Sequence, residues 1–119
     1  MRATLGEALK SALKERDRVA IAALRSALSA IDNAEAVPVE APAGPAAGGE
    51  HIAGAVAGLG AAEAERRQLT EADVRSIVEE EARERSVAAA EYERLGRDDV
   101  AERLRAEAGV LERHLGSSA

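Results

Sequence analysis

Residues 70–115, TEADVRSIVEEEARERSVAAAEYERLGRDDVAERLRAEAGVLERHL, decide the fold of this chain. Thr70 and Asp73 have the spacing of a capping box, in which a hydroxyl and a carboxylate each satisfy an amide that a helix start leaves free. Val74, Ile77, Val78, Ala82, Ala88, Ala89 and Tyr92 then recur at helical spacing. Leu95-Gly96 closes the run, and glycine suits the left-handed conformation that ends many helices. Asp98 and Asp99 follow, where negative charge favours a helix N-terminus. Val100, Leu104, Ala108, Leu111 and Leu115 continue a second stripe until Gly116 stops it. Two long helices joined by so short a turn must pack antiparallel. Only Glu81 and Arg85 break the first stripe, where a simple bundle would place Leu or Ala.

Upstream of this stretch the composition changes. Pro38, Pro42 and Pro45, with Gly44, Gly48, Gly49, Gly54, Gly58 and Gly60, dominate an Ala-rich tract. Both residue types disfavour helix and strand interiors, so the tract reads as a surface linker, with Ile52 to Leu59 able to form a transient apolar turn. None of its glycines is followed by Gly-Lys-Ser/Thr or preceded by a strand pattern, so it is no nucleotide loop.

The N-terminal third has helical spacing again. Thr4 and Glu7 are placed as a capping box, and Leu5, Leu9, Ala12 and Leu13 predict a helix from about Leu5 to about Glu15. Asp17 caps a second helix with the stripe Ala20, Ile21, Leu24, Leu28 and Ile31, expected to fade near Asn33. The expected fold is all-α: a small helical bundle of two antiparallel hairpins, residues 1–34 and 69–115, joined by a long Ala/Gly/Pro-rich loop at 35–68, with a tail at 116–119.

Composition sets limits on function. Hydrophobic residues make up 46% of the 119, yet the chain has one Tyr, no Phe and no Trp. An Ala-rich core buries little area per residue, so stability leans on a partner or on oligomerisation. Without cysteine there is no disulfide, thiolate nucleophile or thiolate zinc site. No segment has the length or apolarity of a signal peptide or membrane span, and the expected location is the cytoplasm. The net charge is −6, but its distribution is uneven. Residues 1–33 set Arg2, Lys10, Lys14, Arg16, Arg18 and Arg25 against Glu7, Glu15, Asp17 and Asp32, whereas acids dominate the later helices. Such a balance argues against tight RNA binding by the chain alone.

Several runs agree in register with a known family. Leu69-Thr70-Glu71-Ala72-Asp73-Val74, then Glu81 and Arg85, then Glu91-Tyr92-Glu93-Arg94-Leu95-Gly96-Arg97-Asp98-Asp99 resemble the GatB/YqeY family. The ending Ala106-Glu107, Leu111-Glu112 and Leu115 does as well. In the N-terminal pair, Leu9-Lys10, Leu13-Lys14, Asp17-Arg18-Val19, Leu24-Arg25, Leu28, Ala30-Ile31 and Asn33 agree too. The resemblance implies a small cytosolic bacterial protein related to the tail of the GatB subunit. GatB belongs to the glutamine-dependent amidotransferase that corrects misacylated Glu-tRNA and Asp-tRNA. Most members continue past the equivalent of Leu115 into a further helical region, which puts tRNA contact in doubt here. The loop between the second and third helices is also longer than the family's.

The candidate contact residues are Arg25, Glu81, Arg85, Lys10, Lys14 and Arg18. Glu81 and Arg85 stand four apart with the acid first, the favoured orientation for a pair along one helix face. Arg85, oriented by Glu81 and joined by Arg25, would make a partner or RNA-phosphate site. The blander reading, and the favoured one, is a partly buried network that fixes the register of the hairpins. Lys10, Lys14, Arg16 and Arg18 would form a small phosphate patch, or more plainly a solvated turn, given how few aromatics could stack on bases. His51 has no second ligand nearby, and His114 near the last turn is expected partly protonated against the helix dipole. Tyr92 is expected to pack within the hairpin, its hydroxyl reaching solvent. Glu79, Glu80, Glu81 and Glu84 cannot turn all their carboxylates to one metal.

No cofactor, metal, catalytic residue or small-molecule substrate is expected. Amide ligation would need an amidase site and an ATP site, and any link to it rests on the family resemblance alone. The leading expectation is a non-catalytic accessory module acting on a protein partner or on tRNA-handling machinery, with tRNA contact at most weak. The alternative is a self-associating helical module with no tRNA role. Pure protein should show no glutaminase or ATPase turnover.

Overall fold

The computed structural model describes residues 1–36 and 68–117. The described residues form four helices and no strand: α1 (Arg2–Glu15), α2 (Arg18–Ala36), α3 (Glu71–Arg94) and α4 (Asp98–Ser117). They make two helical hairpins, as the sequence predicts. Among the described residues, 1–31 and 70–117 belong to one compact unit. The expected linker at 35–68, its apolar turn and His51 lie almost wholly outside the described residues.

The α3–α4 hairpin is antiparallel, and its side chains show the register. Arg75 reaches the carbonyl of Leu115, Arg85 reaches Glu107, and Arg105 reaches Glu93, so partners fall in number along α4 as they rise along α3. Thr70 caps α3 as expected. Its hydroxyl accepts the amide of Asp73, and the Asp73 carboxylate accepts the amide of Thr70, each at 3.0 Å. At the far end Gly96 takes φ +80°. Its amide bonds Glu93 O at 3.0 Å and the amide of Arg97 bonds Tyr92 O at 2.8 Å. These two bonds satisfy carbonyls that the helix end would otherwise leave open.

The α1–α2 turn has the same geometry with a different residue. Arg16, at φ 58°, donates to Leu13 O, and Asp17 donates to Ala12 O. Where α3–α4 uses glycine, α1–α2 holds an arginine in the left-handed region. Asp17 then caps α2, its carboxylate accepting the amide of Ala20 at 3.1 Å.

Three boundary expectations need correction. Helix α1 starts at Arg2 on a Met1 cap without a side-chain bond, so Thr4 and Glu7 lie inside the helix and form no capping box. The amide of Leu5 bonds Met1 O, which lets the helix begin a turn early. Helix α2 runs through Ala36, because Asn33 keeps a helical conformation. Helix α4 continues past Gly116 to Ser117.

The core is small and aliphatic. Leu5, Leu24, Ile31, Val78 and Leu111 are its largest fully buried side chains. On α2 the buried face is Ala20, Ala23, Leu24, Ala27 and Ile31, so it is turned toward the alanines and leaves Ile21 and Leu28 half-buried. Alanine has no bulk beyond Cβ, and helices meeting on alanines approach closely; the larger neighbours then sit at the seam's edge. Leu13, on α1, is exposed. On α3, Val74, Val78, Ala82 and Ala89 are buried and Ile77 and Ala88 half-buried.

Candidate functional site: a three-helix polar cluster and an exposed hairpin end

Glu81 and Arg85 face inward, and the structure adds two residues to them. Arg85 donates from Nη1 to Glu81 Oε1 at 3.0 Å and to the Glu81 carbonyl at 3.2 Å. From Nε it donates to Glu107 Oε1 on α4 at 2.9 Å. The Ser26 hydroxyl on α2 donates to Glu81 Oε1 at 2.8 Å. The cluster therefore joins three helices across both hairpins. Its charged side chains are largely withdrawn from solvent, with 14% of Arg85, 16% of Glu81 and 10% of Glu107 exposed.

Local sequence explains this placement. Glu107 lies on the inner stripe of α4, between Leu104 and Leu111. Ser26 lies beside the buried Ala23 and Ala27 on α2. Each is a polar residue interrupting an apolar face, the same signal that marked Glu81 and Arg85. That signal marks Glu107 and Ser26 as candidates but does not say that they meet Glu81 and Arg85, which depends on how α2 and α4 face α3.

Electrostatically the cluster holds two carboxylates against one guanidinium. An incoming phosphate would meet two carboxylates beside the one guanidinium, and their repulsion opposes it. What the arrangement does well is fix helices: one guanidinium serves acceptors on two helices, and the hydroxyl ties in the third.

The remaining candidates lie elsewhere. Arg25 is exposed on α2, and the α2 residue that meets Glu81 is its neighbour Ser26. Lys10, Lys14, Arg16 and Arg18 are all exposed around the first turn, with Lys10 4.0 Å from Glu7. At such exposure an ion pair contributes little. Among the described residues no group of His, Asp and Glu is placed to hold a metal ion. No helix among them is long and apolar enough to cross a membrane.

The far end of the α3–α4 hairpin is open to solvent. Every residue from Glu91 to Asp99 is exposed. Leu95 (67% exposed) and Tyr92 (37%) put apolar surface there, and Val87 (61%) is exposed further back on α3, before the buried Ala89. Tyr92, expected to pack within the hairpin, lies at its edge. Around these residues run ion pairs: Arg83 with Glu80, Arg94 with Glu91, and Arg105 with Glu93 at 2.8 Å. Asp99, at the start of α4, accepts the amide of Val100, and this bond, helped by Arg97, holds its carboxyl below the usual range.

His114 also departs from expectation. Its pKa is lowered, first by burial and then by the charge of Arg113. Loss of solvation and a like charge outweigh the pull of the helix end, so the neutral imidazole is favoured.

Fold and cluster define a class of small all-α proteins in which two hairpins are pinned together by a buried polar group. The family model described as "Yqey-like protein" matches residues 55–118, more than half of the chain. The chain belongs to the YqeY-like family. The match takes in α3 and α4 whole; α1 and α2 lie before it. No curated protein and no solved structure matches the chain.

Proposed function

We propose that this chain is a non-catalytic binding module that acts on a protein partner through the exposed end of the α3–α4 hairpin. The observation that carries this reading is the apolar surface of Tyr92 and Leu95 on an otherwise charged, fully exposed segment, with Val87 exposed further back on α3. Large apolar side chains bared at the end of a helical hairpin are what a protein interface uses. Charge chooses a protein over a nucleic acid, because acids outnumber bases on α3 and α4 and a polyanion would be repelled. Family membership supports tRNA-dependent amidotransferase, the enzyme of glutamine-dependent carbon–nitrogen ligation, as the machinery in which this partner is sought.

The test is binding of the full chain to purified amidotransferase, with Leu95→Glu as the variant. Saturable binding that Leu95→Glu abolishes supports the reading, and its absence overturns the amidotransferase association. Binding to tRNA alone, steeply weakened by salt and lost with Arg25→Ala and Lys14→Ala, would move the function to tRNA handling through the basic hairpin instead.

A second reading is favoured by the same side chains: Val87 and Leu95 would equally bury against a second copy of the chain. A dimer in sedimentation that Leu95→Glu returns to monomer, without binding to amidotransferase, selects it.

A further inference from the structure

Helices α3 and α4 reach beyond α1 and α2 at one end of the bundle. The Met1 amine meets Glu71 at 2.9 Å, at the start of α3, and Ser26 on α2 meets Glu81. Counted from these two contacts at about 1.5 Å per residue, the α1–α2 turn lies level with roughly residues 86–90 of α3. The α3–α4 turn at Gly96 then stands about 9–15 Å further out. Burial follows the same step: Ala89 and Ala101 are buried, while every residue from Glu91 to Asp99 is exposed. Tyr92 falls one turn beyond Ala89 and two beyond Arg85, so it continues a face of α3 that is covered further down.

The two levels of this step differ in sign. Residues 10–18, around the α1–α2 turn, set Lys10, Lys14, Arg16 and Arg18 against Glu15 and Asp17, a balance of +2. Residues 91–99 set Glu91, Glu93, Asp98 and Asp99 against Arg94 and Arg97, a balance of −2. All of these charged side chains are exposed. Each level also bares apolar surface, Leu13 on the lower one and Tyr92 with Leu95 on the upper. Two such steps related by a two-fold axis interlock, the upper level of each resting on the lower level of the other. Both contacts then oppose a −2 segment to a +2 segment, whereas pairing the two upper levels would set like charge on like. Complementarity of this kind fixes partner and register more than strength.

We propose that a second copy of the chain covers the exposed hairpin end, with the α3–α4 turn of each protomer seated on the α1–α2 turn of the other. This rests on reading that end as a binding surface, and it names what occupies the surface in the isolated chain. The second copy must leave before amidotransferase docks there.

Sedimentation of the full chain over a concentration series tests the pairing with two charge-reversed variants. Lys14→Glu with Arg18→Glu makes the lower level acidic, and Glu91→Lys with Glu93→Lys makes the upper level basic. Each variant alone sets like charge on like at both contacts and should self-associate at least about tenfold more weakly than the original chain. Mixed in equal amounts, the two oppose unlike charges at both contacts and should recover the dimer as a mixed pair. The dimer of the original chain should weaken from low to high salt. All four replaced side chains are exposed, and unchanged helical circular dichroism checks that both variants fold. A chain that stays monomeric at every concentration would overturn the proposal. So would a dimer that salt or either variant leaves unchanged, or a mixture no more associated than its components. The variant Lys14→Glu with Arg18→Glu keeps its hairpin end and should still bind amidotransferase, so failure of the pairing and failure of that association are read separately.

Discussion

Arg85 on α3 and Glu107 on α4 meet through a 2.9 Å hydrogen bond from Nε, in a site where each side chain keeps a seventh or less of its surface exposed. The same guanidinium holds Glu81 one turn back on its own helix. Through Glu81 the pairing extends to Ser26 on α2. Four residues from three helices thus define how the second hairpin sits against α2. Such a group contributes through specificity of packing more than through net stability, because desolvation offsets much of the attraction.

The Thr70 cap gives a direct test of the sequence reading at the start of α3. Thr70→Ala removes the acceptor for the Asp73 amide and should cost about 1 kcal/mol. Thr70→Gly should cost only a few tenths of a kcal/mol. Urea unfolding of the two variants separates loss of the cap from loss of the side chain.

The two left-handed turn residues predict opposite effects. At Gly96 an added Cβ meets nothing within 4 Å, so Gly96→Ala should lose about 1–2 kcal/mol from conformational strain alone. Arg16 already carries that strain at φ 58°, and Arg16→Gly should gain up to about 1 kcal/mol. Thermal unfolding would show the melting temperature moving down for one and up for the other.

Much of this was legible before the fold was known. Thr70 with Asp73, Gly96 and Asp17 each carry local chemistry that permits one placement, and each lies where its chemistry requires. The pair Glu81 and Arg85 was visible because charge interrupts an apolar stripe. What the sequence hid depends on packing between helices. Glu107 and Ser26 join the cluster only because α4 and α2 turn particular faces toward α3. The outward position of Leu13 and Tyr92 depends on which face each helix turns to its neighbours, which one helix's periodicity does not encode. The early start of α1 has a similar cause: Met1 supplies the cap by its carbonyl, and its amine meets Glu71, distant in sequence.

His114 makes stability depend on pH below neutrality. Its folded-state pKa is lowered, first by burial and then by Arg113, so the unfolded chain takes up a proton there more readily than the folded one. Stability is therefore at its higher level above the unfolded pKa of about 6.5 and falls as pH drops from there toward the lower folded value. His114→Gln should flatten that part of the profile, as measured by urea midpoints between neutral pH and mild acid.

Arg85 ties α3 to α4, and equilibrium unfolding of Arg85→Met tests that tie most directly. Losing the guanidinium strands Glu81 and Glu107 in a largely buried site, which should cost about 2–4 kcal/mol. Replacing all three, Arg85→Met with Glu81→Leu and Glu107→Leu, should return stability to within about 1 kcal/mol of the starting protein, since no charge is then left unpaired. An Arg85→Met protein as stable as the original would contradict the account and assign Arg85 to a ligand instead.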